Sequence, residues 1–159
     1  YKVSWGEMED VAVIGQKVKK QLLSLIDEDT DAFNRMMDAM HLPKKKEKDR
    51  KRRDAAIEEA TKSATMVPCR VMEQSLQAMK LCKAVVEMGN INAASDAGVG
   101  ALLGNAAVNG AFLNVKINLP GIVEKSFRDE IMKKTDALAT EANILRREIL
   151  DLVELKLEK

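Results

Sequence analysis

Ser95 to Leu119 reads SDAGVGALLGNAAVNGAFLNVKINL, with glycines at 98, 100, 104 and 110 and no charged side chain between Asp96 and Lys116. Alanine, leucine and valine can carry a helix over this length, yet each glycine weakens an exposed helix by about 1 kcal/mol. The stretch therefore predicts a thin, buried central helix, approached closely by its neighbours or by a ligand. Pro120 and Gly121 end it, and Asn92 or Ser95 is placed to cap its start.

Working outward, the segments on either side are also helical. From Glu7 to about His41, Val11, Gly15, Val18, Leu22, Leu25, Ile26, Phe33, Met36 and Met40 share one face, which predicts a long amphipathic helix ended by Pro43. PKKKEKDRKRR, Pro43 to Arg53, reads as a solvated connector that frays into the next helix. That helix begins near Lys48 and reaches Val67, where Pro68 is expected to kink or restart it. The following one carries Val71, Met72, Leu76, Met79, Val85 and Val86, and Gly89 is expected to stop it in a left-handed conformation. Downstream, Ile131, Leu138, Ala142, Leu145, Ile149, Leu152 and Leu155 line one side of a last helix from Glu124 to Lys159, long enough to suggest dimer packing. The expected fold is an all-α, multihelical bundle of about five helices around the small-residue helix, a single domain over residues 1–159.

Composition agrees and excludes several functions. Aromatic residues are 3% of the chain, which disfavours strands and removes the stacking platforms of single-strand nucleic-acid binders. Against 25 Asp and Glu stand 26 Lys and Arg, a net charge of +1, so no global field draws the protein to nucleic acid or a membrane. With no signal peptide and no run of about 18 apolar residues, the expected location is cytoplasmic. Cys69, Cys82 and the lone His41 have no metal-ligand spacing, so no metal is expected and the thiols read as buried and reduced.

Polar residues on the apolar helices are the candidates for chemistry. In LLSLIDEDTDAF, Leu22 to Phe33, seven positions return to within about 20° on a helix, so Asp29 lies over Leu22 and in line with Leu25, Phe33 and Met36. Asp27, Glu28 and Asp31 fall away from that line and read as solvated. Asp29 reads as a core carboxylate, either a proton-transfer group or half of a structural ion pair. Asn114 and Asn118 share a face four residues apart, where two amides can hold a heterocycle or, at Asn118, tie off the helix end. Lys116 lies between them and off that face. Asp96 suits either the helix dipole or a ligand.

These same segments carry a resemblance. LIDEDTDAFNRMMDAMHLPK, the Val67-Pro68 pair, GNINAASDAGVGALL and FLNVKINL occur in the order seen in the cyclodeaminase/cyclohydrolase family of folate enzymes, over most of the chain. The family includes the C-terminal domain of formiminotransferase-cyclodeaminase. The resemblance implies a helical homodimer acting on a tetrahydrofolate adduct without a metal. It either closes 5-formimidoyltetrahydrofolate to 5,10-methenyltetrahydrofolate with loss of ammonia, or hydrolyses the methenyl form. The family's catalytic acid, the second aspartate of a D-x-D-x-x-x-F segment, corresponds to Asp29. Asn114, Asn118 and Asp96 become candidates for holding substrate, with Lys116 or the Lys44 to Arg53 run meeting the folate tail's carboxylates. Family domains open with a Pro- and Gly-rich turn and a small-residue helix ahead of the part matching Tyr1 to Gln21, so either that segment precedes Tyr1 in the native protein or the domain is a shortened form. Two rivals remain: a helical interaction module, in which Asp29 sets packing register, and a nucleic-acid binder using the basic run.

Overall fold

The structure, a computed structural model, describes residues 5–158. Among them are four helices and no strand: α1 (Trp5–His41), α2 (Glu47–Met88), α3 (Ala94–Asn118) and α4 (Lys125–Leu157), with 3-10 turns at Ile91–Ala93 and Leu119–Gly121. The all-α class holds and the helix count is one lower than expected, because α2 runs unbroken through Pro68. A proline inside a helix costs roughly 3 kcal/mol. Its neighbours Val67, Cys69 and Met72 are buried along with it, at roughly 1.5–3 kcal/mol for a large apolar side chain, which offsets that cost.

The hub of the bundle is α2, which packs against α1, α3 and α4, while α4 also packs on α3. Met72, Met79 and Val86 of α2, Ala101, Val108 and Val115 of α3, and Ala142 and Ile149 of α4 form the main core. Helix α3 lies close to its neighbours where its glycines fall. A Cβ at Gly104 would stand 2.5 Å from Met79 Cγ, and one at Gly100 2.8 Å from Cys82 Sγ. The expectation of a buried α3 holds for that face only, since Val99, Leu103, Leu113 and Ile117 on the opposite face are exposed.

Helix α1 meets α2 through Val18, Leu25, Ala32 and Ala39, spaced one heptad apart. Part of the expected apolar stripe of α1 therefore lies outside the core: Ile26, Phe33 and Met40 are exposed. The reason is coverage. One helix, α2, supports α1, and the stripe is wider than α2 can cover.

The connections differ in detail from expectation. Gly89 is extended (φ −81°, ψ −173°) rather than left-handed, and its N–H donates to Val85 O at 2.8 Å. Neither Asn92 nor Ser95 caps α3; the Asn90 side chain accepts from Asn92 N in the turn before it. At the start of α4, Glu58 accepts from the N–H groups of Val123 (3.0 Å) and Glu124 (2.9 Å), and Lys62 pairs with Glu124 at 2.7 Å. These bonds tie α4 to α2. Tyr1 and Lys159, the ends of the expected domain, lie outside the described residues.

Candidate functional site

With α2 as a floor, α1 and α3 stand as two walls, and the trough between them holds two adjoining cavities of about 410 and 560 Å³. Their size suits a small organic ligand. From α1 come Leu22, Ile26, Asp29, Phe33, Met36 and Met40; from α2, Thr61, Ala64, Val67, Pro68 and Val71; from α3, Ala107, Ala111, Asn114 and Asn118. Asp29 and Asn114 line both cavities.

Asp29 departs from the sequence reading in one respect. It is exposed at the rim of the apolar stripe, not in the core, because the stripe centres on Leu25 and Ala32 and turns Asp29 toward the trough. It has no hydrogen-bond or ion-pair partner among the described residues, so the structural ion pair is not its role. Glu28, expected to be solvated, is half-buried and paired with Arg70. Asp27 and Asp31 are exposed as expected.

The two amides stand where a ligand would meet them. Asn118 is half-buried and makes no capping bond at the end of α3, which leaves its donors and acceptor to the trough. Ala107, Ala111, Asn114 and Asn118 fall at positions i, i+4, i+7 and i+11 of one helical line, so the alanines give the amides clearance. Pro68 has no N–H for the carbonyl of Ala64, and both residues line the trough. That carbonyl lacks its usual intrahelical donor.

Lys116 and Asp96 are elsewhere. Lys116 sits over the Phe112 ring, 3.9 Å from its centroid, beside Arg128 and Asp129 on the flank of α3 turned away from Asn114. Asp96 is exposed in the first turn of α3 and lines neither cavity, as suits a dipole partner. Residues 44–46 of the basic run are exposed, while Arg53 folds back and donates from Nε to Met40 O at 3.2 Å, near one end of the trough. Of the two thiols, Cys69 is buried and its pKa is pushed up to about 11 by that burial, so it is not a nucleophile at neutral pH.

Asp29 is the one charged residue among those that line the two cavities. Around it are apolar walls, two threonines and two amides. A flat heterocycle can lie between the walls, its polar edge on the amides, with the carboxylate at the atom that gains or loses a proton. Sequence reasoning missed the floor residues Thr61, Ala64 and Val71. Only the pairing of α1 with α2 brings them under Asp29.

Residues 1–137 match the family described as formiminotransferase-cyclodeaminase. A methenyltetrahydrofolate cyclohydrolase of Methylorubrum extorquens is 33% identical over 151 residues, covering 95% of this chain and 73% of that protein. The formimidoyltransferase-cyclodeaminase of Gallus gallus is 35% identical over 134 residues, 84% of this chain; the chain spans a quarter (25%) of that longer protein. The crystal structure of formiminotetrahydrofolate cyclodeaminase from Thermotoga maritima superposes with a TM-score of 0.86 at 25% identity, over 97% of this chain and 73% of that one.

Proposed function

This chain belongs to the formiminotransferase-cyclodeaminase family, and from that premise we propose that it is a folate one-carbon enzyme, working as a homodimer, that closes 5-formimidoyltetrahydrofolate to 5,10-methenyltetrahydrofolate with release of ammonia. The observation that carries the reading is the lone carboxylate of Asp29 in an otherwise uncharged trough that Asn114 also lines.

In this reaction N10 attacks the formimidoyl carbon, giving a tetrahedral carbon held by N5, N10 and an amino group. The carbon–amine bond then breaks, the amine leaves as ammonia with a proton, and N10 gives up its own proton. The Asp29 carboxylate is placed to take the proton that N10 gives up and to deliver it to the departing nitrogen. The carboxylate restored by that transfer then stands beside the methenyl cation as that charge develops. Asn114 and Asn118 can both donate and accept, which matches the pterin's mixed edge. The apolar walls from Leu22, Ile26 and Val71 suit its faces.

A second reading has a specific finding behind it. A relative 33% identical over 95% of this chain bears the name methenyltetrahydrofolate cyclohydrolase. In that direction water adds to the methenyl carbon, Asp29 accepts a proton from the water, and the N5–carbon bond opens to leave the formyl group on N10. The same side chains serve both.

Thermal denaturation with added tetrahydrofolate tests the binding step. A melting temperature that rises with ligand concentration is expected; an unmoved melting temperature at millimolar ligand contradicts the reading.

A further inference from the structure

Pro68 sits inside α2, and a proline has no N–H for the carbonyl four residues before it, which is that of Ala64. Among the described residues no side chain replaces the missing donor. The hydroxyl of Thr61 donates to Ile57 O and that of Thr65 to Thr61 O, each at 2.7 Å. On a helix the carbonyl of residue i lies between the side chains of i and i+4 and points toward i+4. Ala64 and Pro68 both line the trough, so the free oxygen opens on it, with only the methyl group of Ala64 beside it.

The neighbours fix its level in the trough. Pro68, toward which the carbonyl points, lines both cavities; so do Asp29 and Asn114, and no other residue is shared by the two. The oxygen therefore stands on the floor where the cavities join, with a carboxylate on one wall and an amide on the other. A backbone carbonyl can only accept, and it cannot turn away as a side chain can. A ligand that covers it must bring an N–H or O–H, or the oxygen is left unpaired.

We infer that the Ala64 carbonyl, held open by Pro68, accepts a hydrogen bond from the nitrogen of the one-carbon substituent and so selects a formimidoyl group over a formyl group. This rests on the proposed folate chemistry. A formimidoyl group presents N–H where a formyl group presents only an oxygen, and two carbonyl oxygens repel. Once N10 has attacked, the substituent nitrogen carries two N–H bonds and one lone pair. Holding one N–H on Ala64 O leaves the lone pair free to face Asp29, which delivers the proton. The carbonyl itself takes no proton and forms no covalent bond. Pro68 acts through that carbonyl and is a positioning residue.

The test uses the whole chain with Asp29→Asn, which slows turnover enough to hold a ligand, and calorimetry with 5-formimidoyltetrahydrofolate and 5-formyltetrahydrofolate. Pro68→Ala and Pro68→Val each restore an N–H to Ala64 O. Both are expected to weaken formimidoyl binding about two- to tenfold and to leave formyl binding unchanged. General damage to the trough would weaken both ligands, and a role confined to packing would be rescued by the bulk of valine. A second measurement needs no substitution at 68. With carbonyl-13C alanine and 15N threonine, only the Ala–Thr pairs at 60–61, 64–65 and 139–140 give a joint signal. The Ala64 carbonyl resonance is expected to move with the formimidoyl ligand and to move less with the formyl one. An unchanged preference in both variants, a loss in Pro68→Ala that Pro68→Val restores, or an Ala64 resonance that moves alike with both ligands overturns the inference and leaves the folate reading standing. A chain that binds neither ligand overturns both.

Discussion

Asp29 on α1 and Asn114 on α3 line the same two cavities, although the helices that carry them are each packed on α2 with the trough between them. An acid and an amide on opposite walls can grip one ligand from both sides. Asp29 is exposed and unpartnered among the described residues, so removing its charge disturbs nothing in the fold. Asp29→Asn is expected to lower kcat by about 10²- to 10⁴-fold, the range for a lost general acid. Its melting temperature is expected to stay within the small range of surface substitutions. Paired stopped-assay and calorimetric measurements check both.

Asn114→Leu removes a hydrogen-bonding group worth about 0.5–1.5 kcal/mol. It is expected to raise KM by about three- to tenfold with a smaller change in kcat. Lys116→Ala, on the other flank of α3, is expected to leave steady-state kinetics unchanged and to lose only the stacking on Phe112. A large rise in KM in Lys116→Ala would place the folate tail on that flank.

Gly104→Ala tests the packing of the small-residue helix. The new methyl would lie 2.5 Å from Cγ of the fully buried Met79 and 3.5 Å from Ser75 O. Overpacking of this kind costs about 1–3 kcal/mol, more than the helix propensity alanine gains. Urea denaturation is expected to show a lower midpoint.

The Lys62 bond to Glu124, helped by Ser126, holds the Glu124 carboxyl below the ordinary glutamate range. A carboxylate depressed in the folded state stabilises it above the unfolded pKa, and that contribution is lost as pH falls through the folded value. Lys62 is raised by the same bond, so its share persists through neutral pH and is lost only in strong base. Glu124→Gln is therefore expected to lower the melting temperature slightly at pH 7, with the gap from wild type closing in acid. A gap that widens in acid would contradict the assignment.

Much of this was legible in the chain itself. Helical spacing placed Asp29 with Leu22, Phe33 and Met36, and Asn114 with Asn118, and those residues do share a trough. Spacing could not say which part of the α1 stripe is covered, because that depends on how many helices support it. Ala32 and Ala39 carry the contact, while the larger Phe33 and Met40 stand open. Pro68 misled for a related reason: the cost of a proline is local, whereas the burial that offsets it comes from helices distant in sequence. Lys116 lies between Asn114 and Asn118 in sequence, yet the turn of α3 sends it to a different side, and Asp96 stands at the opposite end of that helix.

The central claim is that this trough works on the one-carbon bridge between N5 and N10 of a reduced folate, with Asp29 moving the proton. The most direct measurement follows methenyl absorbance after the whole protein is given 5-formimidoyltetrahydrofolate and, separately, 5,10-methenyltetrahydrofolate. The account expects absorbance to rise from the first, or to decay faster than in buffer from the second, and the change to vanish in Asp29→Asn. Absorbance that follows buffer alone with both substrates, or an Asp29→Asn chain as fast as wild type, would contradict it.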